Sequence, residues 1–375
     1  MPTLRITAAD MDLMIRTARP TATMTRVIER SRIDGMHLRL DMDPEEARDL
    51  QIVLAGAVTR AATRQDRRTL ERLTAKLGEM LARGGEGLEI DPLDMARRIL
   101  DYNMAPRYEF DGLSSAEVHG LIRFPWTADT PGLQIHDDVD PALLEGADLL
   151  HNARILLTAL GLGGTKATAV SGNLNRVFVG EMLAVMRLPE GEAEMIREMN
   201  KVINEEDVWE LHQIRVVLTE ARLIARRKGM IVATKKGRDL AVPERAGRLL
   251  ALLFETTFRK YNLAYGDRLP DVAVFQHTIA YPIAVLARLD GGWIDFEELK
   301  PRLLLPAVVE ALPSSPYIDY EKRLICARLI YRLEAMGLLE CRRDVKPGGV
   351  TNVVRALRKT PAYDELIGIE LGSQE

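Results

Sequence analysis

Basic side chains concentrate in two stretches of a chain whose net charge at pH 7 is −4. Residues 215–238 contain eight Lys or Arg against one acidic residue, and residues 322–359 contain ten against three. A surplus of seven positive charges in each stretch is typical of a surface that contacts nucleic-acid phosphates. The predicted contact residues are Arg215, Thr219, Arg222, Arg226, Arg227, Lys228, Lys235, Lys236, Arg342, Arg343 and Lys346.

A long helix is predicted to lead into the first basic stretch. Leu211, Ile214 and Leu218 recur at spacings of three and four residues, which predicts a helix with one buried face. Arg and Thr side chains on a polar face beside this apolar one could meet base edges or phosphates. That polar face is predicted to comprise His212, Arg215, Thr219 and Arg222.

A basic β-hairpin is predicted to follow that helix. Residues 223–234 are predicted to form a β-hairpin that turns at Lys228-Gly229, and Thr234 is placed to cap the next helix. Three adjacent charges beside a glycine turn are poor core material, so the tip is expected to be exposed. A helix, a basic hairpin and a second helix in this order resemble a winged helix-turn-helix.

The C-terminal third is predicted to repeat this arrangement. A short strand at Trp293-Ile294 precedes a capped helix, and a longer helix is expected from about residue 320 to 336. A second hairpin then turns at residues 346–349 and returns through 350–357. The sequence Glu-Ala-Arg-Leu-Ile at 220–224 has its counterpart in Glu-Ala-Met-Gly-Leu at 334–338, which indicates an internal repeat.

An αα-hairpin is predicted near the N-terminus, with apolar faces on helices that follow Asp43-Pro44 and that end at Gly84-Gly85. The predicted fold class is therefore mainly α with small β-hairpins, and the chain is expected to be multidomain. Residues 1–90 would form a loose arm, a short strand and the αα-hairpin. Residues 91–265 would hold a helical region with one winged-helix-like unit, and residues 266–375 a second one.

Other classes of protein find little support in the sequence. Cys326 and Cys341 cannot supply a disulfide framework or a four-thiolate zinc site. No apolar run reaches the length of a membrane span, and the N-terminus does not read as a secretory signal. No catalytic motif occurs. The glycines at 161–164 do not fit a phosphate-binding loop, because they follow a helix rather than a strand. We therefore predict a cytoplasmic protein without enzyme activity, metal or cofactor.

Four blocks of sequence between about residues 110 and 260 resemble a region of many uncharacterised bacterial proteins. In those proteins the region often lies beside a SEC-C metal-binding module or beside plasmid- and transposon-passenger domains. This chain lacks a Cys-rich metal module. The resemblance implies a bacterial cytoplasmic protein and identifies no reaction. The blocks are residues 112–121 with 124–125, residues 148–150, residues 166–169 with 172–174, and residues 220–240.

Two functions remain open from the sequence. The first is a DNA-binding or DNA-associated accessory protein whose partner is duplex DNA. The alternative is an assembly module in which the same units pack structurally, with a second copy of the chain or another protein as partner. In that case the basic residues would lie on solvated strands and pair with the chain's own acids.

Overall fold

The computed structural model describes residues 3–17, 21–34, 37–60, 63–84, 100–127, 130–345 and 352–371. The chain divides into two compact units, Met1–Arg98 and Ile99–Glu375. Helices predominate and the strands form small antiparallel sheets, which confirms the predicted fold class. The boundary predicted at residue 265 falls inside the second unit, where buried side chains from both sides of it share one continuous core.

The first unit packs an αα-hairpin against a three-stranded sheet of order β1-β3-β2. At the start of the hairpin the Asp43 carboxylate accepts from the Glu46 amide and the Glu46 carboxylate accepts from the Asp43 amide. The predicted loose arm is in fact structured, because its apolar side chains join the core of this unit. The elements are β1 (Thr3–Ile6), α1 (Ala8–Thr17), α2 (Ala22–Glu29), β2 (Arg32–Asp34), β3 (His37–Asp41), α3 (Pro44–Arg60) and α4 (Arg64–Gly84).

The second unit is mainly helical, and its most central helix lies at Ala280–Ala287, where seven consecutive side chains are buried. Its helices are α5 (Ser115–Arg123), α6 (Asp148–Gly161), α7 (Arg176–Leu183), α8 (Glu192–Met199), α9 (Trp209–Glu220), α10 (Lys235–Leu240), α11 (Ala246–Arg259), α12 (Ala273–His277), α13 (Ala280–Ala287), α14 (Phe296–Leu299), α15 (Pro306–Ala311), α16 (Tyr320–Ile325), α17 (Tyr331–Ala335) and α18 (Pro361–Leu366). A π-helical turn, Cys326–Ile330, joins α16 to α17.

Three small sheets accompany these helices. The first has the order β5-β7-β6, the second β8-β10-β9, and the third pairs β4 with β11. In each three-stranded sheet the third strand in sequence lies between the other two. The strands are β4 (Gly132–Ile135), β5 (Thr165–Lys166), β6 (Ile224–Arg227), β7 (Met230–Ala233), β8 (Ile294–Asp295), β9 (Leu339–Val345), β10 (Asn352–Lys359) and β11 (Ile367–Glu370).

The predicted hairpin turn is present between β6 and β7. Lys228 and Gly229 both have positive φ, 48° and 76°, as a tight two-residue hairpin turn requires. Thr234 caps α10, as predicted, because its side chain accepts a hydrogen bond from the Gly237 amide at 3.1 Å. We call residues 209–240, which run from α9 to α10, the first hairpin segment.

The second hairpin segment, residues 320–366, repeats this construction. Gly337 has a left-handed backbone after α17, as Arg222 has after α9. In both segments the chain then re-enters the core. The Thr360 amide donates to the Leu338 carbonyl as the Thr234 amide donates to that of Leu223. The repeat is therefore real, but the predicted alignment was wrong by one residue because Arg222 corresponds to Gly337 rather than to Met336.

Candidate nucleic-acid interface

The outer face of α9 is largely covered by the rest of the unit. Of its twelve residues only Thr219 and Glu220 are exposed. The Thr219 hydroxyl donates to the Arg215 carbonyl at 2.8 Å, one turn back. His212, which was expected on a polar face, is 4% exposed and lies in the core instead. This helix therefore offers little surface to a DNA groove.

Arg215 lies in an internal network rather than on that outer face. Its side chain is 16% exposed, and its Nε donates to Oε1 of Glu205 at 2.5 Å. Its Nη2 donates to Oδ1 of Asn173 at 3.3 Å. The guanidinium therefore binds acceptors of the chain itself.

Arg222 was expected on the polar face of α9, and this prediction was wrong because the helix ends at Glu220. The Leu223 amide donates to the Leu218 carbonyl at 2.9 Å, which closes the helix with Arg222 left-handed at φ 59°. Burial of Leu223 turns the chain inward at this point. Arg222 is exposed and lies at the base of the hairpin.

The hairpin itself carries the exposed cations. Arg226, Arg227 and Lys228 are exposed at its tip, as predicted, and Lys235 and Lys236 are exposed on the first turn of α10. Within the described residues, none of these five side chains forms an ion pair. Neither strand of the hairpin contains an acidic residue, so no neighbouring carboxylate in the hairpin offsets the charge.

Lys166 belongs to the same surface, although sequence reasoning did not include it. In the sheet Lys166 pairs with Met230, and Met230 pairs on its other side with Arg227. Directly paired residues of neighbouring strands project to the same face of a sheet. The exposed Lys166 and Arg227 therefore project to one face, on either side of Met230. Its place there depends on the register between strands that are distant in sequence, which no local pattern reports.

The second hairpin segment is basic, and most but not all of its described cations are paired within the unit, since the exposed Arg323 and Arg342 form no ion pair among the described residues. Each of six cations forms an ion pair with an acid of the same unit. Arg343 is one of them, and Arg342 places its guanidinium 4.0 Å from the centroid of the Trp293 ring. Lys346 lies outside the described residues. The pairs are Lys322–Glu297, Arg328–Asp267, Arg343–Glu334, Arg355–Asp344, Arg358–Glu340 and Lys359–Asp364.

A buried carboxylate, Glu205, connects α9 to the loop at residues 167–174. Glu205 has no exposed side-chain surface, and its carboxylate accepts from the Leu174 amide at 2.6 Å. It also contacts Nδ1 of His212 at 2.7 Å and Nε of Arg215. Burial alone would raise the pKa of Glu205, but the hydrogen bonds from His212, Leu174 and Arg215 together lower it. The carboxylate is thus held in its ionised form.

Comparison with known proteins concerns this same part of the chain. Residues 145–248 match the Y4jL N-terminal domain. The range runs from just before α6 to the start of α11 and so contains the first hairpin segment. The uncharacterised protein y4jL of Sinorhizobium fredii is 30% identical over 116 residues, which is 31% of this chain. The chain spans about half the length of that relative, 52%. No solved structure matches.

The described residues contain neither a metal-ligand cluster nor a membrane-spanning helix. Within the part of the chain that the structure describes, no three His, Cys, Asp or Glu side chains come together as a metal site would require. Among the described helices, none combines the length and the apolar character needed to cross a membrane.

Proposed function

We propose that the first hairpin segment forms a winged-helix unit, with the β6–β7 hairpin as its wing. This unit would bind duplex DNA through the phosphate backbone. One observation carries this proposal: the cations at the hairpin stay exposed and unpaired within the described residues, whereas six cations of the second hairpin segment pair with acids of the same unit. Unpaired exposed cations are the groups that phosphate contacts use. The contact surface would comprise Lys166, Arg222, Arg226, Arg227, Lys228, Lys235 and Lys236.

Such binding would be weakly selective for sequence. Contacts to phosphates position a protein on the duplex and carry no sequence information. Base readout needs side chains that reach the groove edges, and α9 exposes only Thr219 and Glu220. We therefore leave Arg215 out of the proposed contacts and expect similar affinity for duplexes of different sequence.

The test compares two matched double variants in a fluorescence-anisotropy titration of a mixed-sequence duplex. Arg226→Ala with Arg227→Ala should weaken binding. It should also reduce the slope of log K against log salt by up to about two, at roughly 0.9 per lost phosphate contact. Arg355→Ala with Arg358→Ala removes the same charge from the second hairpin and should change neither quantity. Equal effects of the two variants, or no binding by the folded wild type near ~50 mM salt, would contradict the proposal.

Protein binding is a second candidate, and exposed apolar side chains on α7 and α8 favour it. Val177 is 73% exposed, Met199 is 76% exposed and Met195 is 51% exposed. Met195 and Met199 are four residues apart on α8 and so share one face, and neighbouring exposed apolar side chains often mark interaction surfaces. If this surface joins two copies of the chain, light scattering should report a dimer that Met199→Glu converts to a monomer.

A further inference from the structure

Three side chains form a hydrogen-bonded row from the core to the surface near the first hairpin segment. Glu205 contacts Nδ1 of His212 at 2.7 Å, and Nε2 of His212 lies 3.0 Å from the Tyr265 hydroxyl. Glu205 and His212 are buried, whereas Tyr265 is 44% exposed. A buried carboxylate, a histidine and an accessible hydroxyl at these distances match the arrangement of nucleophilic triads.

The direction of the hydrogen bonds follows from the charge of Glu205. An ionised carboxylate can only accept, so Nδ1 of His212 must carry a hydrogen and donate it. In the neutral imidazole, Nε2 then holds a lone pair that faces the Tyr265 hydroxyl. His212 is thus oriented to take the phenolic proton, as a general base must be.

Packing fixes the tyrosine in this position. The Trp209 ring stacks on Tyr265 with centroids 5.9 Å apart and on His212 at 5.7 Å. Gly266 allows this stacking, because a Cβ there would lie 2.2 Å from the Trp209 ring. The Tyr265 ring is therefore packed against Trp209 and His212, which both belong to α9.

We propose that Tyr265 is a nucleophile toward nucleic-acid phosphodiesters, with His212 as general base and Glu205 as the group that orients it. The inference rests on the proposed function. The Tyr265 oxygen would form a bond to phosphorus as its proton passes to Nε2 of His212. The bond from phosphorus to one deoxyribose oxygen would break, and His212 would return the proton to that leaving oxygen. A phosphotyrosyl link and a free hydroxyl result, without an oxidant or reductant.

Two features connect this site to phosphate. Arg268 follows three residues after Tyr265, is exposed, and has a left-handed backbone at φ 56°. Within the described residues it forms no ion pair, so its guanidinium can neutralise a phosphoryl oxygen. The row also continues from Glu205 through Arg215 to Asn173. The preceding residue of that loop, Gly172, lies beside the Arg226 guanidinium, since a Cβ built there would be 2.8 Å from Nη1 of Arg226.

The first arm of the test needs no nucleic acid. An arylsulfonyl fluoride would label the tyrosines of the full-length protein, and peptide mass spectrometry would give the rate at each. Tyr265 should react about 10- to 100-fold faster than Tyr317, which is 95% exposed, because general-base help is worth ~10² or more. His212→Asn keeps a donor for Glu205 and removes the base, so it should reduce the rate at Tyr265 to that of Tyr317. Equal rates in the wild type would overturn the triad, even if His212→Asn fails to fold.

The second arm uses a nicked, end-labelled duplex oligonucleotide. The wild type and the control Tyr317→Phe should give an SDS-resistant protein–DNA adduct that maps to Tyr265, and Tyr265→Phe should give none. Selective labelling without an adduct on bound DNA would overturn phosphodiesters as the substrate. Absence of DNA binding would refute the proposed function, whereas the labelling rates still decide whether His212 activates Tyr265.

Discussion

Replacement of Glu205 is the most informative perturbation of this structure. Glu205 is buried and joins the 167–174 loop to α9, because its carboxylate accepts from the Leu174 amide, His212 and Arg215. Glu205→Ala removes all three acceptor contacts at once. Glu206 provides a matched control, since this neighbouring acid is exposed and accepts one hydrogen bond, from the Asn173 amide group.

The magnitude follows from what the substitution leaves behind. Breaking a buried ion pair by removing one partner costs about 3–5 kcal/mol, because the remaining charge stays buried. Arg215 retains 16% of its side-chain exposure and can regain some water, which reduces the cost. The buried Leu174 amide loses its acceptor, which adds about 1–3 kcal/mol. Glu205→Ala should therefore lower the free energy of unfolding by about 3–5 kcal/mol, and Glu206→Ala by less than ~1 kcal/mol.

Urea denaturation monitored by tryptophan emission measures this difference, because Trp209 stacks directly on His212. The pH dependence gives an independent check. Since the folded pKa of Glu205 is lowered, its contribution is present above the unfolded value near 4.5 and is lost as pH falls through the folded value. The difference in the free energy of unfolding between wild type and Glu205→Gln should thus become smaller as pH falls. A loss below ~1 kcal/mol for Glu205→Ala would refute the reasoning, because a solvent-exposed ion pair contributes up to about that much to stability.

Three further perturbations test the core, the repeat and an acidic pair. Leu218 has no exposed surface, so Leu218→Ala should cost about 2–5 kcal/mol in urea denaturation, and an unchanged curve would contradict its burial. Gly337→Ala should destabilise by about 1–2 kcal/mol because Gly337 is left-handed. Arg222→Gly should leave stability equal or raise it by up to ~1 kcal/mol. A stabilising Gly337→Ala or a destabilising Arg222→Gly would refute the correspondence of the two positions. Burial and the neighbouring Glu210 raise the pKa of Glu192 to about 7, so the stability it confers is lost as pH rises from near 4.5 through 7. Glu192→Gln should abolish that slope, and equal slopes in both proteins would exclude the pair as its cause.

Local patterns were sufficient to predict the elements of the first hairpin segment. The stripe of Leu211, Ile214 and Leu218 is buried as its spacing predicts, because helical periodicity reports which face meets the core. The turn at Lys228-Gly229 was also predictable, since few sequences other than Asn-Gly or similar pairs accept two positive φ values. Both features depend on residues close in sequence.

The errors arose where distant residues decide the outcome. Arg215 was predicted to contact DNA because nothing local in the sequence shows that Glu205, ten residues earlier, is buried and accepts from it. The end of α9 was missed because a left-handed residue after a helix is usually Gly and here is Arg222. Lys166 enters the surface only through the strand register. None of these facts can be read from periodicity or composition.

The contrast between the two hairpin segments explains why similar charge counts need not imply the same role. In the second segment Arg358 lies directly opposite Glu340 on the neighbouring strand and forms an ion pair with it, which neutralises part of the positive charge of that segment. In the first, the cross-strand partners of Arg226 and Arg227 are Ile231 and Met230, which cannot cancel any charge. Adjacent like charges repel, so an uncompensated basic tip costs stability in the free protein. A polyanionic partner would remove that repulsion on binding, whereas a purely structural hairpin would gain nothing from it.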